Sequence, residues 1–369
     1  MKIKLIIIIG ILSIFLGCET KNSQSTNEIS IGVVLPLSGG AAQYGKWIQN
    51  ALNMAIEEIN EDDKKKIKLI FEDDKANPKD AVNAITKLIY NDKVKIIFGS
   101  WASSCVMAMA PIAEKNKVLL FAEALSPNIK NAGEYIYRIQ PDGTLYINKM
   151  IEYLKENNSS NIGVVYINND FGTEQTNLLK KYINISYSKA YDVKTNDFKS
   201  IIENIKELKL KNVIVLGYKE TAYFYKQFYE LGLRDKISLF GSVPTENPEI
   251  IDIAGVEATN NIIYPHHFKG IKSNNTEKEK EFFEKYKKIY GYYPEGFAYL
   301  AYEAMKFIIY PSIIKGSNTN IDIDKIKQYL DTNTFNGFSS EIKFDKFGDI
   351  QRRIYLKTIK NKEFILLEK

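Results

Sequence analysis

The sequence contains few cysteines and few histidines, two residues of each type in a chain of 369. The histidines, His266 and His267, are adjacent, and adjacent side chains do not converge on one metal ion as a pair spaced along a helix face does. Two cysteines are also too few for a disulfide-held scaffold. We therefore expect no disulfide framework and no metal site, and we interpret the histidines as hinge or surface residues.

Motifs that hold phosphates or activate a nucleophile are absent from the sequence. There is no GxxxxGK[ST] segment, no GxGxxG after the first strand pattern and no GxSxG turn. Residues 37–40 read LSGG, which is similar to the signature of ATP-binding cassettes. Without a phosphate loop we interpret that match as coincidence. These absences argue against an enzyme, so we expect no catalytic residues and no cofactor.

Strong charge of one sign is missing as well. The formal net charge is +5, and it falls to +3 without Lys2 and Lys4 of the amino-terminal segment. A charge this small and this scattered does not favour nucleic acid as a partner.

The amino-terminal segment has the features of an export signal. Residues 1–18 have a basic start, an apolar core and then Gly17 and Cys18, and the segment is short for a membrane span. A small residue followed by cysteine resembles the bacterial lipobox, in which Cys18 becomes the lipidated first residue, although Phe15 stands where that motif more often has leucine. The alternative is an uncleaved anchor. Either form tethers the chain to a membrane outside the cytoplasm.

The next residues, 19–28, read ETKNSQSTNE and predict a flexible tether. If Cys18 carries lipid, Cys105 is the one cysteine left, so the mature body has no internal disulfide. Cys105 lies in an Ala/Met-rich helical pattern, and we interpret it as a packing residue.

About 340 residues remain, which is too many for one hydrophobic core and suits two lobes. Apolar strand patterns alternate with helical patterns, which predicts an α/β fold with parallel sheets covered on both faces. The alternation runs through residues 29–138 and then starts again. The predicted strands are 29–35, 67–71, 94–98, 118–121 and 135–138, followed by 162–167, 213–216 and 238–240.

Residues 94–127 are the centre of the first unit. They read as strand, turn, helix and strand, which places Ser103 and Ser104 on the first turn of a helix after a strand end. Unpaired N–H groups and the helix dipole at such a point can hold a carboxylate or carbonyl, and ligands of open parallel sheets bind beyond the strand ends. The alternative is that Ser103 is only a helix cap.

Taken in order, several segments resemble the type I periplasmic solute-binding proteins of the leucine/isoleucine/valine-binding group. They are IGVVLPLSGGAAQYG, FEDDKANPKDAVNAITKLI, GSWASS, NNDFG and FDKFGDI. The resemblance runs along nearly the whole mature chain. It implies two Rossmann-like lobes (periplasmic binding protein type I) joined by a three-crossover hinge. Lobe 1 would comprise residues 29–143 plus 268–336, and lobe 2 would comprise 144–267 plus 337–369.

The resemblance also implies a ligand site between the lobes. Ser103 takes the place of the family's carboxylate-binding hydroxyl, and Ser104 follows it. Aromatic and apolar contacts of the family fall on Tyr44, Phe171, Tyr218 and Phe297. Each ring could equally be a core or surface residue, because the chain has 24 Tyr and 19 Phe and an amphipathic ring serves either purpose.

Two positions depart from the amino-acid-binding pattern. A backbone carbonyl and a threonine hydroxyl are replaced by the segment Glu123, Ala124 and Leu125, and the second-lobe acid falls near Val243 unless a loop shift brings in Glu246. A buried ammonium without an acceptor is costly, so a plain α-amino acid fits poorly. Either Glu123 receives a cationic or N–H-rich ligand group, or it points to solvent or pairs with a lysine.

The resemblance implies a solute-binding lipoprotein that captures a small polar solute by hinge closure and delivers it to an ABC transporter permease. The solute would be a branched-chain amino acid or a related amino acid, amide or amine. We expect a monomer that binds no nucleic acid and is lipid-anchored to a bacterial membrane, on the periplasmic or extracellular face of the cell envelope. The alternative function is a ligand-sensing receptor domain of the same fold that signals to a membrane partner.

Overall fold

A computed structural model describes residues 28–62, 66–316 and 321–367 of the chain. The predicted signal segment with Cys18, and the predicted tether up to residue 27, lie outside these described residues. Within the described ranges, the helices are too short or too polar to cross a membrane.

The first sheet contains five parallel strands in the order β2-β1-β3-β4-β5. Helix α2 begins where the sequence predicts a capping signal. The side chain of Asn77 accepts from the backbone N–H groups of Lys79 and Asp80, with Pro78 in the first turn. The elements are β1 (Glu28–Leu35), α1 (Ala42–Asp62), β2 (Lys66–Asp73), α2 (Pro78–Tyr90), β3 (Ile96–Gly99), α3 (Ser103–Lys115), β4 (Leu119–Ala122) and β5 (Ile136–Arg138).

The second sheet contains seven strands in the order β14-β13-β10-β9-β8-β6-β7. Strands β6 to β10 are parallel, whereas β13 and β14 form an antiparallel hairpin beside β10. The elements are α4 (Gly143–Glu156), β6 (Ile162–Ile167), α5 (Asp170–Tyr182), β7 (Ile185–Tyr191), α6 (Lys199–Glu207), β8 (Asn212–Leu216), α7 (Thr221–Glu230), β9 (Ser238–Phe240), α8 (Pro248–Ala254), α9 (Val256–Thr259), β10 (Ile263–His266), β13 (Tyr355–Lys360) and β14 (Glu363–Leu366).

The segment between β10 and β13 returns to the first sheet. Its helices are α10 (Glu277–Tyr290), α11 (Gly296–Glu303), α12 (Tyr310–Gly316) and α13 (Ile323–Thr332), with a π-helical segment (Ala304–Ile309) joining α11 to α12. Helix α11 packs against α1. A short antiparallel pair, β11 (Phe335–Asn336) and β12 (Glu341–Ile342), follows.

The chain therefore changes sheets after β5, after β10 and before β13. Asp349 forms a parallel bridge with Arg138 at the end of β5, so the turn that contains Asp349 lies against the first sheet. We infer that the third change of lobe falls after residue 350. The family resemblance places this change at residue 337 instead.

Arg138 fixes the geometry at the first crossover. Its buried guanidinium donates to Asp349 (2.9 Å), to Asp142 (2.7 Å) and to the carbonyl oxygen of Ser126 (2.5 Å). These contacts hold the end of β5, the start of α4 and the loop after β4 in one arrangement. The loop after β4 carries part of the site described below.

Candidate functional site

A cavity of about 10 Å³ lies between the two lobes, beyond the carboxyl ends of their strands. Side chains that follow β3, β4 and β5 line it from the first sheet, and side chains that follow β6, β8 and β9 line it from the second sheet. This is the place where open α/β sheets usually bind ligands. The lining residues are Trp101, Ser103, Leu125, Gln140, Phe171, Tyr218, Pro244 and Phe297.

Ser103 is the first residue of α3, and its side chain is buried at the cavity. Its Oγ accepts a hydrogen bond from the backbone N–H of Ser126 (3.1 Å), and its own hydroxyl hydrogen remains a donor. The capping position belongs to Ala102, so the interpretation of Ser103 as only a helix cap is wrong. Ser104 is half-buried on the same turn and does not line the cavity.

Tyr44 forms a wall of the first lobe behind the cavity. Its ring stacks on Trp101, with centroids 4.4 Å apart and an interplanar angle of 11°, and meets Phe297 edge-on at 5.7 Å. Its hydroxyl donates to the carbonyl oxygen of Pro244 in the second lobe (3.2 Å). Tyr44 therefore links the lobes directly, although it does not itself line the cavity.

The second lobe contributes Phe171, at the start of α5, and Tyr218, which follows β8. Their rings stack at 5.3 Å, and the amide of Asn169 donates to the Tyr218 hydroxyl (3.1 Å). Tyr218 lies 4.8 Å from Trp101 of the first lobe. The structure thus brings Ser103, Phe171, Tyr218 and Phe297 together at one cavity, with Tyr44 directly behind.

The sequence analysis missed three lining residues, Trp101, Gln140 and Pro244. Trp101 is one of only two tryptophans and lies inside the GSWASS turn, so its position was a usable signal. Gln140 follows the end of β5 and Pro244 follows the end of β9, where the strand-end rule also applies.

Glu123 follows β4 and is fully buried. Neither of its carboxyl oxygens has a hydrogen-bond partner in the described part of the chain. Burial first, and then the charge of Glu295, raises the pKa of Glu123 well above its usual range. The interpretation that Glu123 points to solvent or pairs with a lysine is therefore wrong. Neither Glu123 nor the buried Ala124 lines the cavity in this closed arrangement, whereas Leu125 does.

The Glu246 carboxylate already has partners within the protein. Its carboxylate accepts from the Lys357 ammonium at 2.6 and 2.7 Å and from the Tyr264 hydroxyl at 2.8 Å. These contacts leave Glu246 unavailable as a second-lobe acceptor for a ligand ammonium. Val243 is buried, and its neighbour Pro244 reaches the cavity.

Asp73 and Asp74, at the end of β2, hold the two loops that carry the first-lobe site. The Asp73 carboxylate accepts from the backbone N–H of Leu37 (2.9 Å) and from Ser38. The Asp74 carboxylate accepts from the hydroxyl of Ser100, which belongs to the GSWASS turn. Burial raises the pKa of Asp74 to about 6 against the effect of the Ser100 hydrogen bond.

His266 is the last residue of β10 and His267 follows it, where the chain leaves the second sheet, and both are buried. Of the two interpretations, hinge or surface, the surface one is wrong, because the rings stack at 4.5 Å within a hydrogen-bonded interior, whereas the hinge interpretation stays a prediction. His267 donates from Nε2 to the carbonyl oxygen of Gly296 (3.1 Å), so its Nδ1 accepts from the Tyr146 hydroxyl (2.8 Å). Burial lowers the pKa of both histidines, so each is neutral. No group of three potential metal ligands forms among the described residues.

A wider groove of about 790 Å³ also opens between the lobes, away from the Ser103 cavity. Gln43, Trp47 and residues 292–295 line it from the first lobe, and residues 246–249, 252 and 362–366 line it from the second lobe. Glu246 contacts this groove, whereas Ser103, Phe171, Tyr218 and Phe297 do not, so it provides an internal comparison for binding experiments.

Two α/β lobes that meet at a cleft, with polar and aromatic side chains from strand ends on both sides, define a bilobal small-molecule-binding protein. The chain belongs to the periplasmic binding protein family, since the model of that family matches residues 28–363. Membership confirms the resemblance and the fold class inferred from the sequence, and it implies an extracytoplasmic location.

Sequence relatives and solved structures are similar to this chain along most of its length. Leu/Ile/Val-binding protein homolog 2 of Brucella abortus (strain 2308) is 24% identical over 341 residues, which are 87% of this chain and 87% of the relative. The structure of LivJ from Streptococcus pneumoniae with isoleucine has a TM-score of 0.83 at 22% identity, covering 92% of this chain and 99% of LivJ. A solute-binding protein from Rhodopseudomonas palustris BisB5 with 3,4-dihydroxybenzoic acid has a TM-score of 0.82 at 22% identity, covering 92% and 96%.

Proposed function

We propose that this chain captures a small polar solute between its lobes and delivers it to an ABC importer. The observation that supports this proposal is the interlobe cavity, where the Ser103 hydroxyl at the start of α3 faces aromatic side chains from both lobes. Hinge closure would bury the solute, and the permease would recognise the closed form.

The chemistry of the lining favours a solute with one acceptor group and one apolar part. The Ser103 hydroxyl and the amino end of α3, with the positive end of the helix dipole, suit a carboxylate or carbonyl. Phe171, Tyr218 and Phe297 suit an apolar or planar body. A branched-chain amino acid or a related amino acid, amide or amine has this combination. Isoleucine bound to LivJ and dihydroxybenzoate bound to the R. palustris protein have it too.

Glu123 supplies the second element of selectivity in this proposal. A buried carboxyl without a partner is costly, and the cost is relieved if a cationic or N–H-rich solute group binds it when the cleft rearranges. Glu123→Gln should therefore change the order of preference among amines, amides and amino acids. An unchanged order, measured by titration of the three classes, would remove Glu123 from solute selection.

The first test of solute binding is a thermal-shift panel of amino acids, amides, polyamines, aromatic acids and sugars, because a ligand of the folded state raises the melting temperature. Any compound that raises it is then titrated into the wild type and into Ser103→Ala. Loss of one buried hydrogen-bonding partner should weaken binding by about 1 to 3 kcal/mol, a factor of roughly 5 to 150. Ser104→Ala, one residue further on the same helix, should bind like the wild type.

A variant in the wider groove locates the binding site. Trp47→Ala changes the lining of that groove and leaves the Ser103 cavity lining intact. If Trp47→Ala abolishes binding and Ser103→Ala does not, the solute site lies in the groove and the proposal is wrong.

Uptake of the labelled solute by cells with and without the gene then separates transport from the sensing alternative.

The membrane anchor is part of the same proposal. Lipidation of Cys18 would hold the folded body at a bacterial membrane, with residues 19–28 as the spacer. Metabolic labelling with a fatty-acid analogue should mark the wild type but not Cys18→Ala, and the variant should leave the membrane fraction. A labelled Cys18→Ala protein would contradict this assignment.

A further inference from the structure

Trp101 fills the space between the two lobes at the ends of their strands, next to Ser103. It belongs to the turn between β3 and α3 of the first lobe, and its side chain is only 6% exposed. One face of the indole stacks on Tyr44 of its own lobe at 4.4 Å and 11°. It also contacts Tyr218 of the second lobe at 4.8 Å and 54°. Phe297 closes a third side edge-on at 5.9 Å.

The indole leaves very little room beside it. The remaining cavity of about 10 Å³ has room for one water molecule at most. Typical small-molecule sites have volumes of about 300 to 1,000 Å³. The lobes therefore close on a side chain of the protein itself, and the closed form has a dense aromatic interior.

We infer that Trp101 is a tethered occupant of the interlobe site, which closes the cleft in place of a solute and must be displaced by any solute that binds there. This inference deepens the proposed function, because it rests on the same cleft being the solute site. It makes Trp101 a specificity-determining residue. A solute gains entry only if its contacts with Tyr44 and Tyr218 exceed those of the indole.

Displacement also restricts the chemical class of the solute. The gap that the indole occupies has a parallel aromatic wall on the Tyr44 side and an inclined one on the Tyr218 side. A flat, largely apolar group fits between such walls with favourable ring stacking. A strongly hydrated, non-planar solute such as a free sugar would recover little of the lost contact. We expect solutes with a planar ring or amide to compete best.

The occupant hypothesis is tested by replacing the indole and then returning it as a free molecule. Trp101→Ala should leave an apolar gap between Tyr44 and Tyr218, and engineered apolar cavities bind aromatic molecules of matching size. Without indole, small-angle scattering should show a larger radius of gyration for Trp101→Ala than for the wild type. Added indole should restore the compact radius and raise the melting temperature saturably, whereas the wild type should not respond.

Trp47→Ala is the matched control. Trp47 is the other tryptophan of the chain, is buried beside the same Tyr44 ring at 5.5 Å, and does not line the interlobe cavity. Its removal should not change compaction, with or without indole. If Trp101→Ala does not fold, Trp101→Leu keeps an apolar side chain in the first lobe and allows the same scattering comparison.

A second measurement uses the fluorescence of Trp101 itself. In Trp47→Phe, Trp101 is the single tryptophan, and acrylamide should barely quench it in the solute-free protein. Easy quenching, or a Trp101→Ala protein that is as compact as the wild type and indifferent to indole, would overturn the inference. These outcomes do not depend on the natural solute. If the wild type binds none of the panel compounds, the proposed transport function is contradicted. The inference that Trp101 occupies the interlobe site is then still decided by the scattering and quenching results.

Discussion

Asp74 and Glu123 are both fully buried carboxyls near the site, but their surroundings differ. Asp74 accepts hydrogen bonds from the Ser100 hydroxyl and from the backbone N–H of Ala76 (2.8 Å), so it has a clear structural role in holding the GSWASS turn. Glu123 has no such partner within the described ranges. Both carboxyls should make the stability of the fold depend on pH, because a raised carboxyl pKa means that the folded state binds the proton more tightly than the unfolded state does.

Asp74 should make the protein less stable as the pH rises from about 4 to about 6. Burial raises its pKa to about 6 from an ordinary value of 3.8, so the stabilisation is complete at low pH and is lost as the carboxyl ionises. Two pKa units correspond to about 3 kcal/mol at most. Urea unfolding of the wild type and of Asp74→Asn across this range measures the effect, and the variant should lack this slope.

Asp73→Asn provides the comparison of opposite sign. Burial alone would raise the pKa of Asp73, but hydrogen bonds from Ser38, Lys75 and Leu37 outweigh burial and lower it. Its contribution is therefore present at neutral pH and lost on acidification. Equal slopes for the two asparagine variants would contradict this assignment of the two carboxyls.

Glu123→Gln should stabilise the folded protein increasingly as the pH rises above 4.5. Burial and the Glu295 charge raise the pKa of Glu123, so wild-type stability falls as the pH climbs from the unfolded-state value towards the folded-state value. A neutral amide of the same shape removes that loss. Denaturant unfolding of both proteins at several pH values measures the difference. A constant difference would show that Glu123 does not stay protonated in the fold.

Sequence reasoning reached the site wherever residue type and strand-end position agreed. Ser103 was predicted from its position after a strand end, Phe171 and Tyr218 were predicted from the family resemblance, and the structure brings the three together. Trp101 was missed because its role depends on Tyr44 and Tyr218, and Tyr218 lies 117 residues away in the other lobe. No pattern within a short stretch of sequence reports a contact between lobes.

At the level of elements, apolar runs predicted the five strands of the first sheet and β6, β8 and β9 of the second sheet, but not β10. Strand β7 was not predicted, because its sequence ISYSKAY is polar and mostly half-exposed at the edge of the second sheet. The continuous helix expected over 296–315 is divided by the π-helical segment Ala304–Ile309. Apolar spacing does not distinguish α from π hydrogen bonding, so this division could not be predicted.

The contact between the loop after β4 and helix α5 crosses the rim of the cleft and should stabilise the closed form. Glu174 of α5 accepts hydrogen bonds from the Ser126 hydroxyl and the Asn128 amide of the first lobe. Glu174→Ala removes both, and we expect it to favour the open form and weaken solute binding by about 1 to 3 kcal/mol. Scattering and titration report the two effects.

Glu152→Ala is a suitable control for the rim contact of Glu174, because Glu152 lies on α4 with an exposed side chain and its ion pair with Lys149 is long (3.8 Å). It should leave both the radius and the affinity unchanged. A Glu174→Ala protein with wild-type affinity and radius would show that the rim contact does not hold the lobes together.

On the scale of the whole molecule, one buried ion pair joins parts of the chain that are far apart in sequence. Glu246 follows the loop that carries Pro244 to the cavity, Tyr264 lies on β10, and Lys357 lies opposite Tyr264 on β13. Strands β10 and β13 border the second and third changes of lobe. The pair therefore ties the second-lobe ligand loop to the strands next to the hinge.

Lys357→Met should destabilise the whole protein by about 3 to 5 kcal/mol, because among the described residues it leaves the buried Glu246 carboxylate with the Tyr264 hydroxyl as its one donor. The double variant Lys357→Met, Glu246→Gln also removes the unpaired carboxylate charge, and it should recover most of the lost free energy of unfolding. Denaturant unfolding of the wild type, both single variants and the double variant measures the coupling free energy. If the double variant is as unstable as Lys357→Met, the lysine acts through its packing against Phe268 rather than through its charge. In that case the ligand loop is not held to the hinge strands electrostatically.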